Sequence, residues 1–331
     1  MPSTPSPRRH LRIRLAFPLA VLLVLFVAAS VPTASAKRPV AVGIAAAGDI
    51  ACKPGGPYFD GSNPGFCQFR ATGQAIGDAI AAGTVQRVLT LGDTQYHAGT
   101  SYEFTNSYDQ SWGAFKSVTE PAVGNHEWLT PYADGFFQYF SPTTPQISLG
   151  RYYYSYDLGT WHVIVLDSDC NDLPGPPNNP TNGCVPGSPQ MTWLQNDLAQ
   201  NRAACTLAYW HHPRFSSGET GDIVKTSPFW RALYAAGADV ILTAHRHMYE
   251  RYAPQDPDGN LDQQNGIVEF VVGSGGDDHG VIQAPIGPNE VVRNNATFGY
   301  LGMTLNPGGY TYSFQPVAGG SFTDSGAGTC H

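Results

Sequence analysis

The sequence predicts an α/β (α+β) fold in which two mixed β-sheets pack together with helices outside. Two observations carry this. Strand-like runs alternate with helical segments in the first half of the chain, and strand-rich sequence dominates the second. Five of those runs also end on short blocks of metal-ligand side chains. The blocks are Gly48-Asp49, Gly92-Asp93-Thr94-Gln95-Tyr96, Gly124-Asn125-His126-Glu127, Trp210-His211-His212-Pro213 and Ala244-His245-Arg246-His247. Open α/β sheets bind ligands beyond the carboxyl ends of their strands, so five such ends describe one site.

Taken in order, residues 40–48 read as a strand, followed by a loop that carries Cys52 and Cys67. Residues 70–82 show the Ala and Ile spacing of a helix. Residues 87–91 and 118–123 are strands that lead into Gly92-Asp93 and Gly124-Asn125. Residues 152–158 and 161–166 form a hairpin around Gly159-Thr160. Residues 191–201 are helical, with Trp193, Leu194 and Leu198 on one face. Strands at 205–210 and 239–243 precede His211 and His245, and late strands follow at 267–273, 299–305 and 310–314. Glycines before Asp49, Asp93 and Asn125 allow sharp turns where a larger residue would crowd the site.

The N-terminus reads as a targeting segment. Arg8, Arg9, Arg12 and Arg14 precede an apolar run, and Ala34-Ser35-Ala36 supplies the small residues of a cleavage site. Residues 1–36 are therefore expected to be a signal peptide, with residues 37–331 forming one domain. An uncleaved anchor is the competing reading, but the run is marginal in length and holds Pro18. No Ser/Pro-rich linker, charge block or internal repeat divides the remainder. Losing four arginines takes the formal net charge from −8 to −12. Such an acidic chain, with no basic tract, argues against nucleic-acid or anionic-membrane partners. Six cysteines in an exported chain read as disulfides. Sequence alone leaves 15 connectivities open, of which the least strained pairs Cys52 with Cys67 and Cys170 with Cys184, leaving Cys205 to tie down Cys330. Each short loop closed would contribute about 3 kcal/mol in the chain-entropy model.

Any single Asp, Asn or His at a strand end is an ordinary turn or surface residue. Five in succession point instead to two metal ions and attack on a phosphate ester. Asp93 is the natural bridge, because its two oxygens can reach two ions. Asp49 would serve one ion with His247, while Asn125, His211 and His245 would serve the other. His245 and His247 stand two residues apart, which puts both side chains on one face of an extended segment.

The order Gly-Asp, Gly-Asp-x-x-Tyr, Gly-Asn-His-Glu, His-x-Pro and His-x-His-x-Tyr-Glu-Arg resembles the purple acid phosphatases of the calcineurin-like metallophosphoesterase superfamily. The resemblance covers about residues 45–315 and implies a four-layer αββα sandwich of two mixed β-sheets flanked by helices. It assigns Asp49, Asp93, Tyr96 and His247 to an Fe(III) ion, and Asp93, Asn125, His211 and His245 to a divalent ion (Fe, Zn or Mn). Relatives outside the purple subgroup often carry Asp-x-His in the first block. This chain has Asp49-Ile50-Ala51 there and offers Tyr96 instead, a hard phenolate donor suited to a trivalent ion. Ala244 stands where the family usually has Gly, a small change that removes no ligand.

The resemblance further implies that His126 protonates the leaving oxygen as general acid, and His212 could contact the substrate phosphate. The expected reaction is hydrolysis of a phosphate monoester by a metal-bound hydroxide, with no covalent intermediate and an acidic optimum. The expected partner is a small phosphorylated substrate, met outside the cell or in the periplasm, without stable membrane association after signal cleavage. A phosphodiesterase or nucleotidase on the same scaffold is the alternative, and a secreted binding protein with a degenerate site a more distant one. Substrate choice would lie in rim segments 171–189 and 215–227.

Overall fold

Strand ends, turns and caps arrange the chain around a pair of sheets. The computed structural model describes residues 1–4, 6, 41–219, 221–283 and 285–331. The apolar run and cleavage site expected of a signal peptide lie outside the described residues. In chain order the first elements are β1 (Val42–Ala47), α1 (Phe69–Ala81), β2 (Arg87–Leu91), α2 (Ser101–Asn106), β3 (Thr119–Ala122) and α3 (Asp134–Phe140). The hairpin β4 (Tyr154–Leu158) and β5 (Trp161–Val165) follows, then α4 (Pro189–Gln200), β6 (Cys205–Tyr209), α5 (Ser227–Ala235) and β7 (Val240–Thr243). In the last quarter the regular elements among the described residues are all strands: β8 (Tyr249–Tyr252), β9 (Val268–Val272), β10 (Glu290–Asn294), β11 (Gly299–Asn306), β12 (Gly309–Pro316) and β13 (Ser325–Thr329).

One sheet runs β13-β12-β11-β1-β2-β3 and the other β10-β8-β9-β7-β6-β5-β4. Both are mixed. β1, β2 and β3 are parallel neighbours while β11 joins β1 antiparallel. In the second sheet β5, β6, β7 and β9 run parallel, with antiparallel strands at both edges. A strand sends alternate side chains to opposite faces, and the second sheet follows this rule closely. Val163, Val165, Leu207, Tyr209, Val240 and Leu242 enter the core shared with Ile44, Leu89 and Leu301 of the first sheet. Their neighbours Ile164, Ala208 and Ile241 instead meet Met191 and Leu194 of α4 and Phe229, Trp230 and Leu233 of α5. The two sheets therefore pack face to face with helices outside, as the sequence predicts.

Local chemistry fixes the element ends. Ser188 accepts a hydrogen bond from the Met191 amide at 3.2 Å, and Pro189 occupies the first turn of α4. Thr100 and Glu103 form a capping box on α2, and Glu103 also accepts from the amides of His97 and Ala98. That carboxylate thus anchors the loop directly after Tyr96. The disulfides join Cys52 to Cys67, Cys170 to Cys184 and Cys205 to Cys330, as the spacing suggests. Among the described residues no helix is long and apolar enough to cross a membrane.

A polar group inside the second sheet gives a pH signature. His162, buried in β5, binds Asp197 of α4 at 2.7 Å and Asp157 of β4 at 2.9 Å. Burial opposes its charge, but the two carboxylates outweigh burial and raise its pKa. Asp197 moves the other way: burial raises it, and His162 together with Ser155 lowers it further. The histidine's contribution is full below its ordinary value near ~6.5 and is lost as pH rises through the raised one. The aspartate's is present above ~3.9 and is lost as pH falls through the lowered one. His162→Gln is therefore expected to destabilise by about 1–2 kcal/mol between those limits and by less in alkali. Thermal melts at pH 5 and 9 check this; an equal loss at both would remove the charged pair from the explanation.

Candidate metal centre

The five blocks leave the ends of β1, β2, β3, β6 and β7 and converge. Close approach of backbone explains their glycines. A Cβ on Gly92, whose φ is +86°, would lie 2.7 Å from the His211 ring, and one on Gly124 would lie 2.2 Å from Asp93 Oδ1. Ala244 is fully buried, and a Cβ on Gly48 would come within 2.5 Å of its own Cβ, so the extra methyl is accommodated by Gly48. Asp49, Asp93, His245 and His247 all adopt positive φ, at 57°, 46°, 70° and 48°. Non-glycine residues rarely do so, and such conformations gather where function over-determines the backbone.

On one side of the site the Tyr96 hydroxyl lies 2.8 Å from Asp49 Oδ1, 3.2 Å from Asp93 Oδ2 and 3.0 Å from His247 Nε2. On the other side Asp93 Oδ2 lies 3.0 Å from His211 Nε2, which is 3.2 Å from His245 Nδ1. One oxygen of Asp93 therefore touches both groups, the position a bridging carboxylate needs. Asp49 Oδ2 accepts the His245 amide at 2.7 Å, and this bond ties the first block to the last.

The hydrogen-bond chemistry tests whether a cation fits. His211 Nδ1 donates to the Leu91 carbonyl at 2.9 Å, which turns Nε2 toward Asp93. His247 Nδ1 donates to Asp278 and likewise turns Nε2 toward Tyr96. A ring held by its far nitrogen and offering the other is the arrangement of a ligating histidine. The Asn125 Oδ1 atom is buried without a hydrogen-bond partner, and a buried acceptor of this kind calls for one. Asp93, His211 and His245 place three ligand atoms within 4.8 Å of one another, and so do His247, Asp277 and Asp278. Oxygens and imidazole nitrogens of metal-ligand type gathered this closely suit a cation, which would take the place of the protons now shared among them. Cys205 and Cys330 also gather around Asp239, but their sulfurs are joined to each other.

Without a metal, the buried carboxylates hold protons on the neighbouring rings. Burial opposes charge on His211, yet Asp93 raises it to about 9; burial likewise opposes charge on His247, yet Asp49 and Asp278 raise it to about 10. Burial and the His211 charge push His245 down to about 2. Burial, reinforced by Asp49 and Asp93, raises the Tyr96 phenol well above its usual value, so a phenolate there needs a cation of high charge.

His126 donates its amide to Asp93 Oδ1 at 2.8 Å, and its Nδ1 faces the His97 carbonyl at 2.6 Å. Its Nε2 stands 4.0 Å from Asp93 Oδ2, and the side chain is 23 % exposed, so it reaches both the site and solvent. His212 is enclosed, at 5 % exposure. Its Nδ1 is 2.8 Å from Ser168 Oγ and its Nε2 is 3.3 Å from Lys225 Nζ, which leaves neither nitrogen open to a phosphate oxygen.

The sequence reading gave no role to Glu127, Asp278, Ser168 or Lys225. Glu127 is fully buried and accepts from the amides of Asp93, Gly124 and Gln95 and from Thr94 Oγ1. It clamps the second block to the third. Its place two residues after Asn125 was visible; that four donors from two blocks meet on it was not. The contact of Lys225 with His212 joins separate elements and leaves no trace in local pattern.

No family model matches the chain. Purple acid phosphatase 22 of Arabidopsis thaliana is 22 % identical over 205 residues, covering 54 % of this chain and 43 % of the relative. Purple acid phosphatase 18 of the same plant is 26 % identical over 281 residues, covering 75 % of this chain and 60 % of the relative. The chain thus spans between two fifths and two thirds of these relatives' lengths. A purple acid phosphatase from yellow lupin (Lupinus luteus) seeds superposes with a TM-score of 0.69 at 17 % identity, over 88 % of this chain and 54 % of that one. That likeness concerns the fold, while the sequence matches carry the kinship. The chain is thus similar to the purple acid phosphatases both in sequence and in fold.

Proposed function

We propose that the protein is a secreted phosphatase that hydrolyses phosphate monoesters at a dinuclear metal centre. Asp49, Asp93, Tyr96 and His247 would hold Fe(III), and Asp93, Asn125, His211 and His245 a divalent ion such as Fe, Zn or Mn. Residues 1–36 would act as signal peptide and residues 37–331 as the catalytic domain. The observation that carries this reading is the cluster of ligand-type oxygens and nitrogens around Asp93 Oδ2, which is in contact with both Tyr96 and His211. Three disulfides suit an oxidising compartment.

When bound, the two ions neutralise phosphate charge and lower the pKa of the attacking water. The chain supplies the remaining steps. Asp93 is held by the His126 amide through Oδ1, which leaves Oδ2 to face both ligand groups. Glu127 fixes the turn that aims it. Hydrogen bonding of His126 Nδ1 to the His97 carbonyl sets the ring so that a proton on Nε2 faces the cleft. That proton passes to the leaving oxygen as the ester bond breaks.

The deciding experiment compares a chromogenic phosphate monoester with the matching diester on metal-loaded protein. Faster turnover of the monoester, with an acidic optimum, is expected. Preference for the diester would move the reading to a phosphodiesterase, and no turnover of either to a binding protein. Tyr96→Phe is expected to bleach a coloured enzyme, because the phenolate is the donor that gives an iron(III) site its visible band. Unchanged absorbance in this variant would remove Tyr96 from the ligand set.

A further inference from the structure

Beside the ligand cluster lies a cation that makes no direct ion pair among the described residues. Lys225 belongs to the short turn Val224–Thr226 that leads into α5, and its side chain is partly buried. Its ammonium lies 3.3 Å from Nε2 of His212. No Asp or Glu oxygen lies within 4.0 Å of it among the described residues. Burial lowers its pKa, and the more distant charges of Asp169, Asp167 and Asp172 only partly offset this. Asp167 is itself engaged, accepting from the Trp128 indole and the Asp169 amide.

His212 cannot serve as the counter-charge. An ammonium has only donors, so His212 Nε2 must accept from it, and the ring is then neutral with its proton on Nδ1 toward Ser168. Ser168 Oγ also accepts the His212 amide at 3.0 Å, which fixes the ring from the other edge. The remaining cations nearby are spoken for. Arg214 pairs with Asp222 at 3.3 Å, and Arg246 donates to the Gly221 carbonyl at 2.6 Å. A partly buried charge left unpaired beside a binding site is satisfied most simply by a ligand of opposite sign.

Position says which part of the ligand. The His212 ring packs on His245 at 4.4 Å between centroids, so Lys225 stands one ring removed from the expected metal ligands. A phosphoryl group seated at Asp93, His211 and His245 leaves Lys225 facing what lies beyond it. We propose that Lys225 binds a second anionic group of the substrate, carried on the leaving group rather than on the transferred phosphate. This rests on the phosphatase reading above and narrows it to monoesters with a carboxylate or a further phosphate.

Binding of non-hydrolysable probes tests this without turnover. Calorimetry on the metal-loaded full chain would compare a carboxyalkyl phosphonate, an alkyl bisphosphonate of equal length and a plain alkyl phosphonate. The doubly anionic probes are expected to bind about tenfold tighter or better, as a charge-assisted hydrogen bond predicts. The probe with the larger gap identifies the second group. Lys225→Met should erase the gap and Lys225→Arg should keep most of it, with metal content measured in both to exclude collapse of the site. A gap that persists in Lys225→Met, or no gap in the parent, overturns the proposal. A parent that shows the gap yet fails to hydrolyse a simple aryl phosphate would sink the phosphatase reading and leave the anion site standing.

Discussion

Asp93→Asn is expected to strip both metal ions and to lower kcat/KM well beyond the roughly 10–100-fold typical of outer-sphere partners. The side chain keeps its size, so the fold survives. Its charge is lost, and one of its two atoms becomes an NH2 group. Oδ1 is committed to the His126 amide, so the amide nitrogen would fall at the Oδ2 position. There it would face Tyr96 at 3.2 Å and His211 at 3.0 Å, presenting donors where both ion sites need an acceptor. Metal analysis and steady-state kinetics check this directly. Retention of two ions with near-normal activity would show that Asp93 does not bridge.

His126→Gln is expected to lower kcat by about 10²–10⁴, the range of a general acid, with KM and metal content little changed. The loss should grow with the basicity of the leaving alcohol, because a good leaving group needs no proton. A nitrophenyl ester should therefore suffer less than an alkyl ester. The variant would keep its metals because only the backbone amide of His126 contacts Asp93 closely, at 2.8 Å, while its ring nitrogen stays 4.0 Å away. Equal losses on both esters would make His126 a positioning residue instead.

The strand ends that build the site were legible in sequence because each couples a turn residue to a ligand side chain. Gly92 and Gly124 exist for close approach, and the residues that crowd them, His211 and Asp93, are themselves ligand-type. The hairpin around Gly159 and the helix from Pro189 were equally readable, from turn chemistry and a helical face. Shorter elements were not. α2 spans six residues and α3 seven, too few for a helical period, although the Thr100/Glu103 pair was a usable cap signal. β13 has the sequence Ser-Gly-Ala-Gly-Thr, which has little strand propensity; it pairs along β12 and is pinned by the adjacent Cys330.

Contacts between distant segments were the other blind spot. Ser168, His212 and Lys225 come from three separate segments of the chain, and only folding brings them together. His212, which the sequence offered as a possible phosphate contact, is enclosed for that reason. Asp278 likewise meets His247 from a Gly-rich turn after β9. Local pattern reports the ligands; the partners that orient them arrive from elsewhere in the fold.

The most direct measurement is the metal content of the purified protein, read with its visible absorption. Two ions per chain, at least one of them iron, and a band that disappears in Tyr96→Phe are the predicted result. One ion or none after loading, or two divalent ions in a colourless and fully active enzyme, would contradict it.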